Sequence, residues 1–570
     1  MKKNFLLTRL ILVSELFLVG LGVLTTFLYF GHSEVVYGNT SSRLLLTLGP
    51  RLGLGRPYTD LWEFLPPGFL VISDLWIRVF GWSMSSLKLL QVLVLAMAGI
   101  SMLLVLKKLL RPLLLELIIL FTFVIVFYSP ILQADMLSID LFGAAFVLLG
   151  LASLLYLEKP LIKLIVSGFL IFLASQTKEI YTFAAFAFLP YYLYLLKVKT
   201  RPSVVKVVLL SMLGPLMVVL IFLLYLISVG GLSGYRQVLE YKASIGQSPG
   251  SIYEIVQEFK LVEHVFAEHF LHWHRYTSNL LLINAAIVYY RTTKMRFRFY
   301  ARKTHIFIEV LKGHKGTWES WSAALFSIGI IFGVTMYGQY SVDVRQIAVA
   351  TSLPILIGLL MKAPLDALQK FAATKGRMLV VNLFLGLFLI IYLSPQTKVV
   401  RAFSNQIQLH ILGELYDSQG ARAVYHRPMV SGIPEYIGSK SSPNDCILDP
   451  YGWGVAGTYI YSQRRPCSRH FLANLLVQRE WQTEEYKKQV FEKPPIAIFY
   501  NIYGTDLNVE YFETNIIDYP SVLKNCYVPD PKYKDYPYLG REITLYWKRP
   551  DLSEKSFKAC FREHSVPNKQ

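Results

Sequence analysis

Long apolar blocks separated by short basic clusters leave this chain one broad solution: helices that cross a bilayer. Backbone in hydrocarbon must satisfy its own hydrogen bonds, so such blocks fold as helices. Each crossing takes roughly 20 apolar residues. We read eleven candidate spans, near Leu10–Tyr29, Leu89–Leu106, Leu113–Tyr128, Ile139–Tyr156, Leu161–Ser175, Tyr181–Leu196, Val207–Val229, Asn279–Tyr290, Trp321–Tyr337, Ile347–Met361 and Leu379–Leu393. Several fall short of a full crossing, and Asn279–Tyr290 is the weakest. Only 17% of the 570 residues are charged, too few to cover a soluble surface of this size.

The net charge of +19 invites comparison with nucleic-acid binders. The basic residues argue otherwise, because they sit in short clusters between apolar blocks. Such clusters mark cytoplasmic loops. They are Lys2, Lys3 and Arg9; Lys107, Lys108 and Arg111; Lys159 and Lys163; Lys197, Lys199, Arg201 and Lys206; Arg291 to Lys303; and Lys362 to Arg377. All fall on one side if the N-terminus is cytoplasmic and the eleven spans hold. Counting Phe69–Gly81 as a twelfth span would break that pattern. It reads as a juxtamembrane or re-entrant helix on the outer face. The first block has no small-residue cleavage site and reads as a retained span.

An odd span count puts the C-terminus outside. All four cysteines, Cys446, Cys467, Cys526 and Cys560, follow the last span. Four cysteines confined to an exported segment read as two disulfides, with three pairings open. The alternative, four free thiols in a cytosolic tail, conflicts with the charge pattern. The chain thus divides into a transmembrane domain, 1–395, with an outer loop at 31–82, and an extracytoplasmic α/β domain, 396–570. In the latter, Asp445–Asp449, Pro495–Tyr500 and Glu542–Trp547 read as strands, and Arg469–Tyr486 as helix. Leu232–Ser278 reads as amphipathic helices along the membrane surface.

Polar residues gather at the outer ends of the spans. Glu34, Asp60 and Glu63 lie in the first loop, Asp135 and Asp140 between the third and fourth spans, and Lys178 and Glu179 between the fifth and sixth. Asp343 and Arg345 lie between the ninth and tenth. Asp140 and Glu179 read as solvated loop charges. Asp60, Asp135 and Lys178 abut apolar sequence, where charges pair or act. The triplet Asn39-Thr40-Ser41 is a glycosylation sequon of little weight.

Gly55-Arg56-Pro57-Tyr58-Thr59-Asp60, followed by Glu63 and Pro66-Pro67-Gly68, resembles the first outer loop of the glycosyltransferase C superfamily. It is most similar to family 39-like members, the relatives of protein O-mannosyltransferases and aminoarabinose transferases. Gln133-Ala134-Asp135-Met136-Leu137 resembles their second acidic loop, and Gln176-Thr177-Lys178 their lysine after the fifth span. Ile447 to His470 resembles the exported domain of bacterial members. Two departures stand out. Ser33-Glu34 replaces the early Asp-Glu or lone Asp. Leu65 stands before Pro66-Pro67 where aminoarabinose transferases carry Lys, which argues against that sugar.

The resemblance implies a polyprenyl-phosphate-linked sugar as donor and a lipid, glycan or protein hydroxyl as acceptor. Asp60 or Glu34 would be the general base with Asp135 close by, Lys178 and Arg345 would hold the donor phosphate, and Glu63 and Tyr58 would support the loop. We find no Asp-x-Asp in an outer loop and no Gly-rich phosphate loop after a strand, so no nucleotide-sugar site. No His/Cys spacing marks a metal, and a divalent ion is left open. The competing readings are a transporter or flippase of a lipid-linked sugar, and an inactive binding protein of the same fold. A transporter would bring paired repeats and mid-span charges. The chain shows neither.

Overall fold

The computed structural model describes residues 2–31, 39–63, 65–110, 113–128, 138–197, 204–245, 317–336, 347–348, 350–362, 432–449, 456–471, 479–501, 516–534, 536–538 and 541–565. The first helices are α1 (Lys2–Gly31), α2 (Asn39–Leu52), α3 (Gly68–Phe80), α4 (Met84–Leu109), α5 (Leu113–Phe127), α6 (Ile139–Tyr156) and α7 (Pro160–Ser175). A 3-10 helix, Glu179–Ala187, leads into α8 (Phe188–Lys197), followed by α9 (Val204–Ser228), α10 (Leu232–Ile245), α11 (Thr317–Met336) and α12 (Ala350–Lys362). The C-terminal residues add β1 (Cys446–Leu448), β2 (Arg465–Pro466), β3 (Ala497–Asn501), β4 (Tyr527–Pro529), β5 (Tyr536–Tyr538) and β6 (Arg541–Lys548). Five helices accompany them: α13 (Ile433–Lys440), α14 (Ala456–Ser462), α15 (Glu480–Glu492), α16 (Tyr519–Cys526) and α17 (Glu554–His564).

Packing separates two compact units. The helical unit comprises Met1–Tyr29, Lys88–Leu220 and Ser248–Leu415. The sheet-bearing unit comprises Phe30–Leu87, Ile221–Gln247 and Tyr416–Gln570. The loop after the first helix thus packs with the C-terminal residues.

Among the described residues, the helices Ser85–Leu109, Ile139–Tyr156 and Leu209–Ser228 are long and apolar enough to cross a membrane. Five shorter apolar helices join them, and the expected spans Asn279–Tyr290 and Leu379–Leu393 lie outside the described residues. Pro160 starts α7, where a missing amide costs nothing. The expected span Tyr181–Leu196 is a 3-10 turn followed by a short α-helix. Phe183 of that turn meets Phe332 of α11 edge-to-face at 5.0 Å. Glu15 of α1 is fully buried and pairs with Lys107 of α4 at 2.6 Å, which makes a charge tolerable inside the bundle.

In the sheet-bearing unit the strand order is β2-β1-β3-β6-β4, with β5 pairing β6. β1 runs parallel to both β2 and β3, and β6 is antiparallel to its neighbours. The chain leaves β1 through α14 to one side and returns through α15 to the other, so the strand order reverses at β1. Such a point opens a crevice at the carboxyl ends of the strands. Asp449 and the segment Cys467–His470 follow those ends. Leu448, Tyr486, Ile498, Ile517, Tyr519 and Phe561 form the core beneath. Disulfides join Cys446 to Cys467 and Cys526 to Cys560, one of the three pairings left open by sequence. Loops of 21 and 34 residues give roughly 3–4 kcal/mol each by chain entropy.

The three expected strands are present as β1, β3 and β6. Three other features differ from expectation. Of the helix expected over Arg469–Tyr486, Glu480–Tyr486 lies in α15 and residues 472–478 lie outside the described residues, whereas at its start side chains take the backbone amides: Arg469 donates to Gln489 Oε1 at 3.0 Å, and His470 to Ser468 Oγ at 3.1 Å. The first loop holds a whole helix, α2, with Leu44, Leu45, Leu46 and Leu48 buried. Finally, a Gly-rich connection does follow a strand: Gly452-Trp453-Gly454-Val455-Ala456-Gly457 leads from β1 into α14. Residues 450–455 lie outside the described residues.

Candidate active site

Arg56 to Leu61 form a turn that closes on itself. Asp60 and Leu61 donate their amides to the Arg56 carbonyl at 2.9 and 3.2 Å. Asp60 accepts in return: Oδ2 from the Arg56 amide and Nε, both at 2.9 Å, and Oδ1 from Nη2 at 3.2 Å. Gly55 enters the turn at φ 145°, and a Cβ there would stand 2.9 Å from that of Asp60. Tyr58 takes φ 62°, a left-handed conformation rare for a bulky residue. Such a conformation costs roughly 1–3 kcal/mol and persists where surroundings enforce it, most often at working sites.

The enforcement is visible. The Tyr58 hydroxyl donates to the Leu65 carbonyl at 3.0 Å, and its ring meets Tyr235 at 5.1 Å. Gly234 of α10 brings the helix backbone directly against Tyr58 and Thr59, leaving no room for a side chain. Thr59 Oγ1 donates to the Gly230 carbonyl at 3.1 Å. Glu63 is buried at the end of the turn.

Asp60 titrates below the usual carboxylate range. The Arg56 side-chain hydrogen bond is the main cause; burial opposes it, and the charges of Arg56 and then Arg469 add to the lowering. Its side chain is 42% exposed. It is therefore an anion that a hydroxyl can reach.

Next to Asp60 the turn runs into a box of rings. Trp62 is fully buried, with Tyr241 at 6.1 Å, His470 at 5.7 Å and Trp481 at 5.6 Å. The Trp62 amide donates to the Arg469 carbonyl at 2.8 Å, and the Arg469 guanidinium lies 4.9 Å over its ring. That guanidinium donates to Glu485 Oε2 from Nε at 3.0 Å and Nη2 at 2.6 Å, and to Gln237 Oε1 at 2.9 Å. Sequence reading missed this box. Arg469 and His470 ended a motif noted only as an exported-domain likeness, and nothing in their spacing points to Trp62.

His470 Nε2 lies 3.2 Å from Glu485 Oε2, and Nδ1 has no partner among the described residues. Burial pushes the imidazole below its usual range, against the opposing pull of Glu485. Burial raises Glu485, but the His470 hydrogen bond and Arg469 outweigh it and leave the carboxylate below its usual range. A second proton on His470 would create a buried donor with no acceptor. The unfolded chain binds that proton near pH 6.5 and the folded one only lower, so stability is full above about pH 6.5 and falls as pH drops through that region. We expect thermal unfolding of the sheet-bearing unit between pH 8 and 5 to show this loss, and His470→Gln to flatten it. An unchanged slope in that variant would assign the loss elsewhere.

In the helical unit, Lys178 sits in extended backbone between α7 and the 3-10 helix. Its Nζ is 3.8 Å from Asp140 Oδ1. Asp140 is a correction: it is fully buried, not a solvated loop charge. Ser138 caps α6 by accepting from the Leu141 amide at 3.2 Å, which sets Asp140 in the buried first turn. Tyr181 donates to the Asp140 carbonyl at 2.8 Å. A buried carboxylate beside a lysine whose side chain is only 19% exposed holds a cation in place.

The structure therefore gathers Asp60, Tyr58 and Glu63 in one turn of the sheet-bearing unit and places Lys178 in the helical unit. Glu34, Asp135 and Arg345 lie outside the described residues. Among the described residues no group of three His, Cys, Asp or Glu side chains could hold a metal ion.

No family model matches this chain, and no curated protein does. Solved structures do. An archaeal oligosaccharyltransferase, AglB from Archaeoglobus fulgidus, in complex with an inhibitory peptide and a dolichol-phosphate, superposes with a TM-score of 0.52 at 10% identity, over 95% of this chain and 75% of that one. The same organism's oligosaccharyltransferase with zinc and sulfate gives 0.50 at 12%, over 90% and 72%. ArnT from Cupriavidus metallidurans, in the apo state, gives 0.50 at 13%, over 93% and 97%. The chain shares the fold of these solved structures.

Proposed function

We propose that this protein transfers a sugar from a polyprenyl-phosphate donor to an acceptor hydroxyl at the outer face of a membrane. The observation that carries the reading is the shared fold, which matches ArnT over nearly the whole of both chains. The dolichol-phosphate held by AglB supports a lipid phosphate as the leaving group here as well.

The chemistry fits the residues. The acceptor oxygen attacks the anomeric carbon as the bond to the phosphate oxygen breaks, with inversion. The bonding pair leaves on the polyprenyl phosphate, and a carboxylate takes the acceptor's proton. Asp60 is the preferred carboxylate, since it is reachable and anionic, and Glu34 is the other first-loop candidate, with Asp135 close by. Lys178 and Arg345 meet the charge that develops on the phosphate. An apolar donor tail has a natural place among the spans, and the acceptor is a lipid, glycan or protein.

The test uses purified full-length protein, acceptor-bearing membrane extract and a panel of radiolabelled polyprenyl-phosphate sugars. Label moving to a new product, with free polyprenyl phosphate released in equal amount, supports transfer. Movement of intact donor between leaflets of a proteoliposome without product would make the protein a flippase. Saturable binding without either would make it an inactive member of the fold.

A further inference from the structure

Resting on that reading, we infer that Arg469 is a positioning residue for the transfer reaction. It holds the first loop, and with it Asp60, in working geometry from the carboxyl edge of the parallel strands. Three contacts of one residue carry this. Its carbonyl accepts from the Trp62 amide, two residues past Asp60. Its guanidinium covers the Trp62 ring and lies 5.9 Å from Trp481. The same group binds Glu485 on α15 with two N–H donors and Gln237 on α10 with a third.

Arg469 itself is held from behind. Gln489 takes its amide, and Cys467, two residues earlier, is tied by the disulfide to Cys446 on β1. A disulfide-anchored segment thus ends in a planar five-donor side chain, which suits a fixed geometry better than lysine could. The turn needs such an anchor, since Tyr58 is held in a strained conformation that would relax if released. Removing a clamp of this kind displaces the reacting group without removing it, so turnover falls while donor affinity stays.

Full-length Arg469→Ala, Arg469→Lys and Glu485→Gln would be compared in lipid nanodiscs. Hydrogen exchange of peptides spanning 53–63 reads the loop without any need for activity, and peptides spanning 497–501 and 519–526 report whether the core is intact. In Arg469→Ala, exchange across 53–63 rises by about tenfold or more while the core stays protected. In a working transfer assay kcat falls at least about tenfold, with KM for the labelled donor changed less than about threefold. Arg469→Lys and Glu485→Gln fall between this variant and wild type. Arg549→Ala, on an exposed pair with Asp551, changes neither readout. Unchanged exchange across 53–63 in Arg469→Ala would overturn the proposal. So would a rise in KM without a fall in kcat. If Arg469→Ala loses its core, the two milder variants decide by the same readouts. If wild type transfers no sugar, the proposed reaction fails while the exchange result still judges the clamp.

Discussion

Asp60→Asn lowers sugar transfer by about 10²–10⁴-fold if Asp60 is the general base, because asparagine keeps the shape and loses the proton acceptor. The structure sharpens that test. Asp60 also accepts from the Arg56 amide and side chain, so its removal loosens the turn as well. Arg56→Ala separates the two roles. If Asp60 only braces the turn, Arg56→Ala and Asp60→Asn cost about the same, and the double variant costs no more than either. If Asp60 is the base, Arg56→Ala frees a more basic carboxylate and costs far less than Asp60→Asn. Glu34→Gln runs beside them. Near-normal transfer by Asp60→Asn with loss in Glu34→Gln moves the base to Glu34, and full activity in both removes the first loop from the mechanism. If the Lys178 cation acts on the donor phosphate as proposed, Lys178→Ala weakens donor binding along with turnover.

In the proposed reaction, proton transfer to Asp60 is chemically modest work, which its lowered pKa suits. Glycosyl transfer passes through an oxocarbenium-like sugar, and the acceptor oxygen gains positive charge as it bonds to the anomeric carbon. A hydroxyl in that state is acidic enough for a weak base. The cost of a strong Arg56 pair is a narrower choice of approach, since two faces of the carboxylate are taken.

The fold was legible where composition or period carries information. Span α6 falls at the residues expected, because an apolar stretch flanked by Ser138 and Leu157 has few alternatives. Short two- and three-residue strands such as β2 and β4 have no periodicity to read, and their pairing with β1 and β6 is long-range. The Asn39-Thr40-Ser41-Ser42 run that opens α2 is a helix-start signal that coincides with a sequon. The site was half legible. Asp60 stands out as an acid in an apolar neighbourhood, but its pairing with Arg56 is a finding of the structure. The burial of Asp140 depends on where α6 begins. The Arg469 clamp joins residues about 400 positions apart, which no local pattern encodes.

Arg464→Ala is the largest structural effect we expect outside the site. Arg464 and Arg465 are neighbours in sequence and look alike on paper. In the fold Arg464 is buried, and among the described residues its guanidinium meets only neutral oxygens. It donates to Ser441 Oγ at 2.8 Å and to the carbonyls of Gly438 at 2.6 Å, Ser441 at 2.5 Å, and Ser462 and Gln463 at 3.1 Å each. Gly438 and Ser441 lie at the C-terminal end of α13, and Ser462 ends α14. One side chain therefore satisfies orphan carbonyls at two helix ends, where the helix dipoles favour a cation. Alanine leaves those carbonyls buried and unpaired, a loss of about 3–5 kcal/mol. Arg464→Lys keeps the charge but loses the planar fork, and should cost roughly half as much. Hydrogen exchange of the full-length protein, read in peptides spanning 432–449 and 497–501, gives the opening free energy directly. Arg549→Ala serves as the exposed control and should change nothing measurable. Equal protection in Arg464→Ala and wild type would show that water replaces the guanidinium at both helix ends.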